Sequence, residues 1–245
     1  MANPSYVSAV GSAGAATYAL DVGTGANRLI IVITRENGDA VTYAGVAMTL
    51  IATLVLTGAA SSTVTPMRVF ALANPTSGSN NVAVSNSMVS SCAIALQDCK
   101  QSVVGMTVAS SESAAAATTF TQNITTPSNN CLVVTAAAAY FFGVAPTAGA
   151  GNTFRANANA LAIPAVFSST SNVTPAGVFG SIVNQSSAGD KIGLIAIAVE
   201  APSSGGAGAG KGSTGGKKGG GGAKTLIVPG GASILNFGNA GLDIG

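Results

Sequence analysis

Leu29-Ile30-Ile31-Val32-Ile33 is the stretch on which the fold turns: an apolar run that reads as a core strand and ends at Arg35-Glu36. Asn37-Gly38 follows, then Val41-Thr42-Tyr43. Asn-Gly supplies the positive φ angles of a tight turn, so a β-hairpin is predicted across residues 37–38. Outward from there, apolar runs recur at 48–56, 64–72 and 82–85, divided by Gly58-Ala59-Ala60 and by Asn74-Pro75-Thr76-Ser77-Gly78. In Cys92-Ala93-Ile94-Ala95-Leu96 the larger side chains alternate, as one buried strand face requires. Further strands are predicted at 103–108, 118–124, 132–142, 161–167, 178–184 and 192–199. Regular short strands between Gly, Pro, Asn and Ser clusters read as an all-β protein, an antiparallel sandwich or barrel.

Composition agrees. Charged residues make up 7% of the chain, against about 25% in an ordinary globular protein, so few amphipathic surface helices can form. Ala114–Ala117 and Ala136–Ala139 are the two places where helix competes, but both adjoin strand-like residues, Thr118-Thr119-Phe120-Thr121 and Tyr140-Phe141-Phe142. Asn27-Arg28-Leu29-Ile30-Ile31-Val32 resembles Asn130-Cys131-Leu132-Val133-Val134-Thr135. This is either the first core strand of two similar halves or convergence on a common strand start.

After Pro202 the sequence changes character. Three segments follow from composition: a β-sandwich domain over 1–200, a Gly/Ser/Lys-rich linker over 201–224, and a tail over 225–245. The linker is too rich in glycine to pack and reads as a flexible tether. The tail regains strand-forming residues: Leu226, Ile227 and Val228, then Ile234, Leu235 and Phe237 after a Pro229-Gly230-Gly231 break. Two short strands have no core of their own, so these six residues are the predicted assembly contact, buried by adding strands to a neighbouring subunit.

Chemistry is sparse. The chain has no His, which removes Ser-His-Asp and Cys-His arrangements. The acidic residues Asp21, Glu36, Asp39, Asp98, Glu112, Asp190 and Glu200 show no pairing suited to glycoside hydrolysis, and most adjoin turn residues. Gly210-Lys211-Gly212-Ser213-Thr214 lacks the spacing of a phosphate loop. Three cysteines without a CxxC pair argue against zinc. The expectation is therefore no enzyme activity, no cofactor and no metal. Cys92 lies inside an alternating strand and is read as a core thiol, whereas Cys99 and Cys131 flank strand ends and form the candidate disulfide. Residues 1–200 carry six Lys/Arg and seven Asp/Glu, a near-neutral balance with no basic footprint for nucleic acid. Lys211, Lys217, Lys218 and Lys224 make the remainder positive. The uncharged stretches 40–67 and 113–154 are studded with polar and turn residues, so no membrane span is expected. Met1-Ala2-Asn3-Pro4-Ser5 lacks the features of a secretory leader.

The succession Asn27–Val32, Val41-Thr42-Tyr43-Ala44-Gly45-Val46-Ala47-Met48-Thr49, Val69-Phe70-Ala71-Leu72-Ala73-Asn74-Pro75-Thr76-Ser77-Gly78-Ser79-Asn80-Asn81-Val82, Asn130–Val134 and the closing run 192–199 resembles a family of jelly-roll-like β-sandwich modules. These are found in bacteriophage virion structural proteins and some bacterial surface proteins. Family modules carry a second glycine near position 44 and more Trp and acidic residues, so this chain departs in its polar surface. The resemblance implies a display or adhesion module; near-neutral charge, absent chemistry and the tethered apolar tail favour a capsid-associated decoration, collar or fibre component of a virion, made in the host cytoplasm, with other virion proteins and copies of itself as partners in a homo-oligomer. A receptor- or glycan-binding adhesion module of a phage tail or bacterial surface protein is the alternative it leaves open. It carries over no catalytic residues.

Overall fold

A computed structural model describes residues 2–35, 40–57, 64–85, 90–139, 146–158, 164–185 and 190–202. The chain divides into two units, Met1–Gly205 and Gly206–Gly245, and every described residue lies in the first. Among them there is no helix. The strands are β1 (Ser5–Ala13), β2 (Thr17–Asp21), β3 (Leu29–Arg35), β4 (Val41–Tyr43), β5 (Val46–Ala47), β6 (Thr49–Thr57), β7 (Val64–Ala73), β8 (Ser79–Val84), β9 (Ser90–Gln97), β10 (Thr107–Glu112), β11 (Thr119–Thr125), β12 (Leu132–Ala139), β13 (Pro146–Ala148), β14 (Asn152–Asn157), β15 (Ala165–Ser169), β16 (Val178–Gln185) and β17 (Ile192–Val199).

Four antiparallel sheets result. The first half of the chain forms a five-stranded sheet, β1-β9-β3-β7-β6, and a four-stranded sheet, β2-β8-β4-β5. The second half forms β10-β17-β12-β15-β14 and β11-β16-β13. The orders correspond strand for strand: β1 with β10, β9 with β17, β3 with β12, β7 with β15, β6 with β14. The paired runs Asn27–Val32 and Asn130–Thr135 are thus the same strand of two similar halves. Matching details recur at the loops. Val22 N–H donates to Gly78 O (3.1 Å) as Thr126 N–H donates to Gly177 O (2.8 Å). Asn74 N–H donates to Arg28 O (2.8 Å) as Val173 N–H donates to Cys131 O (2.7 Å).

The sheets stack in four layers. One core, with Ile31, Met67 and Ile94 from the first half and Val134, Val166 and Ile197 from the second, lies between the two five-stranded sheets. A second core, including Val32, Tyr43, Phe70 and Val82, lies between the first five-stranded sheet and its four-stranded partner. Two smaller clusters around Phe167 and Ile124 fill the equivalent space in the second half. The central strands are consequently buried on both faces, which is why β3, β12 and β17 read as continuous apolar runs. The alternation in β9 separates two buried faces rather than a buried and a solvent face. Cys92, Ile94 and Leu96 enter the central core, and Ala93 and Ala95 enter the outer one.

The halves meet isologously. β1 lies against β14 as its counterpart β10 lies against β6. At Gly11 the two come close enough that an added Cβ would clash with the Asn157 carbonyl oxygen of β14.

Three local expectations change. Residues 37–38 lie outside the described residues, but the strands on either side of them do not form a hairpin: β3 pairs with β7 and β9, β4 with β5 and β8. The chain crosses between sheets there. The tight turn lies instead at Ala44-Gly45, both at positive φ (50° and 79°), joining Tyr43 to Val46. Residues 103–106 are a loop, with Gly105 at φ 76°, and β10 begins at Thr107. Of the two Ala-rich runs, 136–139 is strand and 114–117 is irregular chain between β10 and β11.

Candidate assembly surface

The predicted assembly residues Leu226, Ile227, Val228, Ile234, Leu235 and Phe237 lie outside the described residues. Among the described residues, exposed apolar side chains gather at one edge of the first five-stranded sheet. β6 is an edge strand: it pairs with β7 on one side, and no described strand pairs with the other. The outer face of its sheet is only partly covered there, because the facing four-stranded sheet ends in the two-residue β5. Leu50 (49%) and Val55 (51%) therefore remain exposed on β6. Beside the start of β6, residues 49–51 and 103–106 enclose a groove of about 240 Å³, whose rim includes Val104, 83% exposed. Residues 104–106 also line a small notch with Ala198, Val199 and Glu200. The described chain, which ends at Pro202, thus leaves β17 next to this groove.

The far end of β6 is closed. Thr57 N–H and Oγ1–H donate to the two oxygens of Glu112 at 2.7 and 2.5 Å, and Lys191 Nζ donates to Thr57 Oγ1 at 3.0 Å while standing 3.7 Å from the same carboxylate. This cluster joins β6 of one half to β10 and the start of β17 in the other. Its side chains are mostly buried, so it acts as a polar clamp between the halves rather than as an exposed ion pair.

A second polar chain lies near the groove. Lys100 pairs with Glu200 at 2.8 Å, Ser128 Oγ donates to the other oxygen of Glu200 at 3.4 Å, and Ser128 Oγ contacts Cys131 Sγ at 3.4 Å. Cys131 is thus linked through Ser128 and Glu200 to Lys100, the residue that follows Cys99. All three cysteines are buried free thiols. Cys99 Sγ donates to Gln97 O at 3.3 Å and Cys131 Sγ to Ser128 O at 3.2 Å, so the structure gives each thiol its own carbonyl partner. Burial, with a smaller contribution from Asp98, pushes the Cys99 thiol up to about 12, and burial raises Cys92 as well.

Sequence reasoning identified residues 48–56 as a strand but gave no sign that β6 is an edge or that Val104 stands beside it. Edge position depends on pairing between distant segments, which local pattern does not carry. Among the described residues no group of His, Cys, Asp and Glu could hold a metal ion, and no helix is long and apolar enough to cross a membrane. No family model, curated protein or solved structure matches this chain.

Proposed function

We infer that the chain is a structural subunit of a bacteriophage virion, a capsid-associated decoration, collar or fibre component that joins copies of itself and other virion proteins through residues 225–245. The observation that carries this reading is the strand order. β1-β9-β3-β7 faces β2-β8-β4, and β10-β17-β12-β15 faces β11-β16-β13, with the chain crossing repeatedly between the sheets. That order supports two jelly rolls fused in one chain, an architecture used by viral capsid and lectin domains. Fold alone does not give function. The near-neutral charge of the first 200 residues and the exposed Leu50 and Val55 on β6 favour packing into an assembly.

A glycan-binding module would need free aromatic faces. The exposed rings among the described residues are Tyr6 and Phe154. The Arg155 guanidinium lies 4.0 Å over the Tyr6 ring, and Phe154 meets Phe167 edge-on at 5.6 Å. Both are already engaged, which favours the structural reading. The test is quantitative mass spectrometry of purified particles from the phage whose genome carries this sequence. Stoichiometric copies per particle are expected; absence from particles, with binding to a defined glycan on an array, would replace the reading with the adhesion module.

A further inference from the structure

We propose that Arg155 on β14 is a docking point for a carboxylate of a partner protein, with Tyr6 holding its guanidinium and Phe154 forming the apolar margin of the contact. This rests on the assembly reading and names the chemistry of the partner. The first half shows that the fold itself does not need an arginine here. β6 and β14 hold the same place in the two halves and carry the same bulge: the register shifts between Leu50 and Ala52 opposite β7, and between Phe154 and Ala156 opposite β15. The extra residue is Ile51 in the first half and Arg155 in the second. Ile51 packs against the central core. Arg155 is turned instead to Tyr6 of β1, with its guanidinium 4.0 Å from the ring centre. Re-aiming a side chain is what a bulge does next to a functional site.

The guanidinium is held in place and left unpaired. Its Nε donates to Oγ of the buried Ser168 at 2.9 Å, and Tyr6 supports one face. Among the described residues no acceptor meets its two terminal nitrogens and no carboxylate pairs with it. By contrast Lys100 and Lys191 each face a carboxylate, and Arg28 donates to the carbonyls of Pro75 and Gly25. A fixed guanidinium with its terminal fork open matches a carboxylate in two parallel hydrogen bonds. Burial works against the charge and lowers the Arg155 pKa, so a counter-ion at the fork is favoured. Arginine beside exposed aromatic rings is also the composition of the strongest points in protein interfaces. Tyr6 is covered by the guanidinium and Phe154 leans edge-on against Phe167, which suits an acidic side chain better than a sugar ring needing a free aromatic face.

The experiment titrates the full chain with acetylated hexaglutamate, and with hexaglutamine as the uncharged control, and follows the Arg155 Nε–H signal by NMR. The signal is local, so peptide bound to the lysines after residue 202 does not register in it. The expected result is a saturable shift with hexaglutamate, weakened by added salt, and none with hexaglutamine. Followed through the Tyr6 ring protons, Arg155→Lys should bind at least about five-fold more weakly, because an ammonium keeps the charge but cannot make the paired contact. Its urea midpoint reports whether it is folded, and the wild-type titration stands either way. An unmoved Arg155 signal, an equal response to hexaglutamine, or a folded Arg155→Lys chain that binds as well as the wild type would overturn the proposal. Glucuronate shifting the signal at lower concentration than hexaglutamate would overturn the protein partner in favour of an acidic sugar. The assay needs no particle: absence of the chain from virions would sink the functional reading and leave a positive titration standing.

Discussion

Asn27 and Asn130 hold the same place in the two halves, each in the left-handed region (φ 51° and 62°) shortly before a central strand. Asparagine tolerates this conformation better than other residues bearing a Cβ. Replacing either by Val should cost about 1–2 kcal/mol, whereas Gly at either site should be close to neutral. Urea unfolding of the four single variants checks this. Similar losses at the two sites would agree with the duplication; a loss at one site alone would count against their equivalence.

Gly11 and Gly193 should differ although both are crowded. At Gly11 the obstacle is the backbone of β14, which cannot move without shifting the other half. At Gly193 a Cβ would meet the Leu56 Cδ2 at 2.2 Å, the far end of a side chain that can change rotamer. Gly11→Ala should therefore cost about 3 kcal/mol and Gly193→Ala nearer 1. Denaturation midpoints measure both; a Gly11→Ala loss no larger than that of a surface substitution would show that β1 and β14 do not meet as described.

The Glu112 clamp should matter more through its hydrogen bonds than through its ion pair. Glu112→Ala leaves the Thr57 N–H and hydroxyl without their acceptor and should cost about 2 kcal/mol. Lys191→Met should cost less than about 1 kcal/mol. A double-mutant cycle of Glu112→Ala with Thr57→Val separates the pair's coupling from other losses, and a coupling near zero would contradict the clamp.

Stability should fall on the alkaline side. The thiols of Cys92 and Cys99 are held neutral by burial, with folded pKa values raised above the ordinary thiol value of 9.0. Below about 9 both folded and unfolded thiols are protonated, and stability is unaffected. Above it the unfolded chain releases protons that the folded chain keeps, so stability is lost as pH rises from 9 towards 12, by up to about 1.4 kcal/mol per unit for each thiol. Urea midpoints at pH 8, 9 and 10 test this in the wild type and in Cys99→Ala, whose slope should be shallower. The same burial predicts no alkylation of Cys92 or Cys99 in the native protein at pH 7.

Much of the fold was legible in the sequence because the central strands are buried on both faces. β3, β12 and β17 announce themselves as apolar runs, and the run 192–199 has the same ends as β17. β1 and β2 carry no such signal. Ser5–Ala13 is a half-buried edge strand in which Tyr6, Val7 and Val10 are scattered among Ser, Ala and Gly, and its Gly11 is set by a neighbour from the other half. β14, Asn152–Asn157, lacks it for the same reason, since Asn and Arg occupy a strand that owes its place to β15 and β1. Asn37-Gly38 misled because the turn signal is local, while the choice of partner sheet is made by residues far along the chain. The duplication was visible at one pair of strands only. The remaining correspondence is one of strand order, which hydrophobic pattern does not encode.

Incorporation of the chain lacking residues 203–245 into particles, compared with the full chain by quantitative mass spectrometry, tests the central claim most directly. Circular dichroism and urea unfolding of the purified proteins should show that the truncated chain keeps the β fold and the stability of the full one, because the four stacked sheets lie within residues 2–202. The account predicts that the full chain enters particles at fixed copy number and the folded, truncated chain does not. Entry of the truncated chain at the same copy number would contradict it.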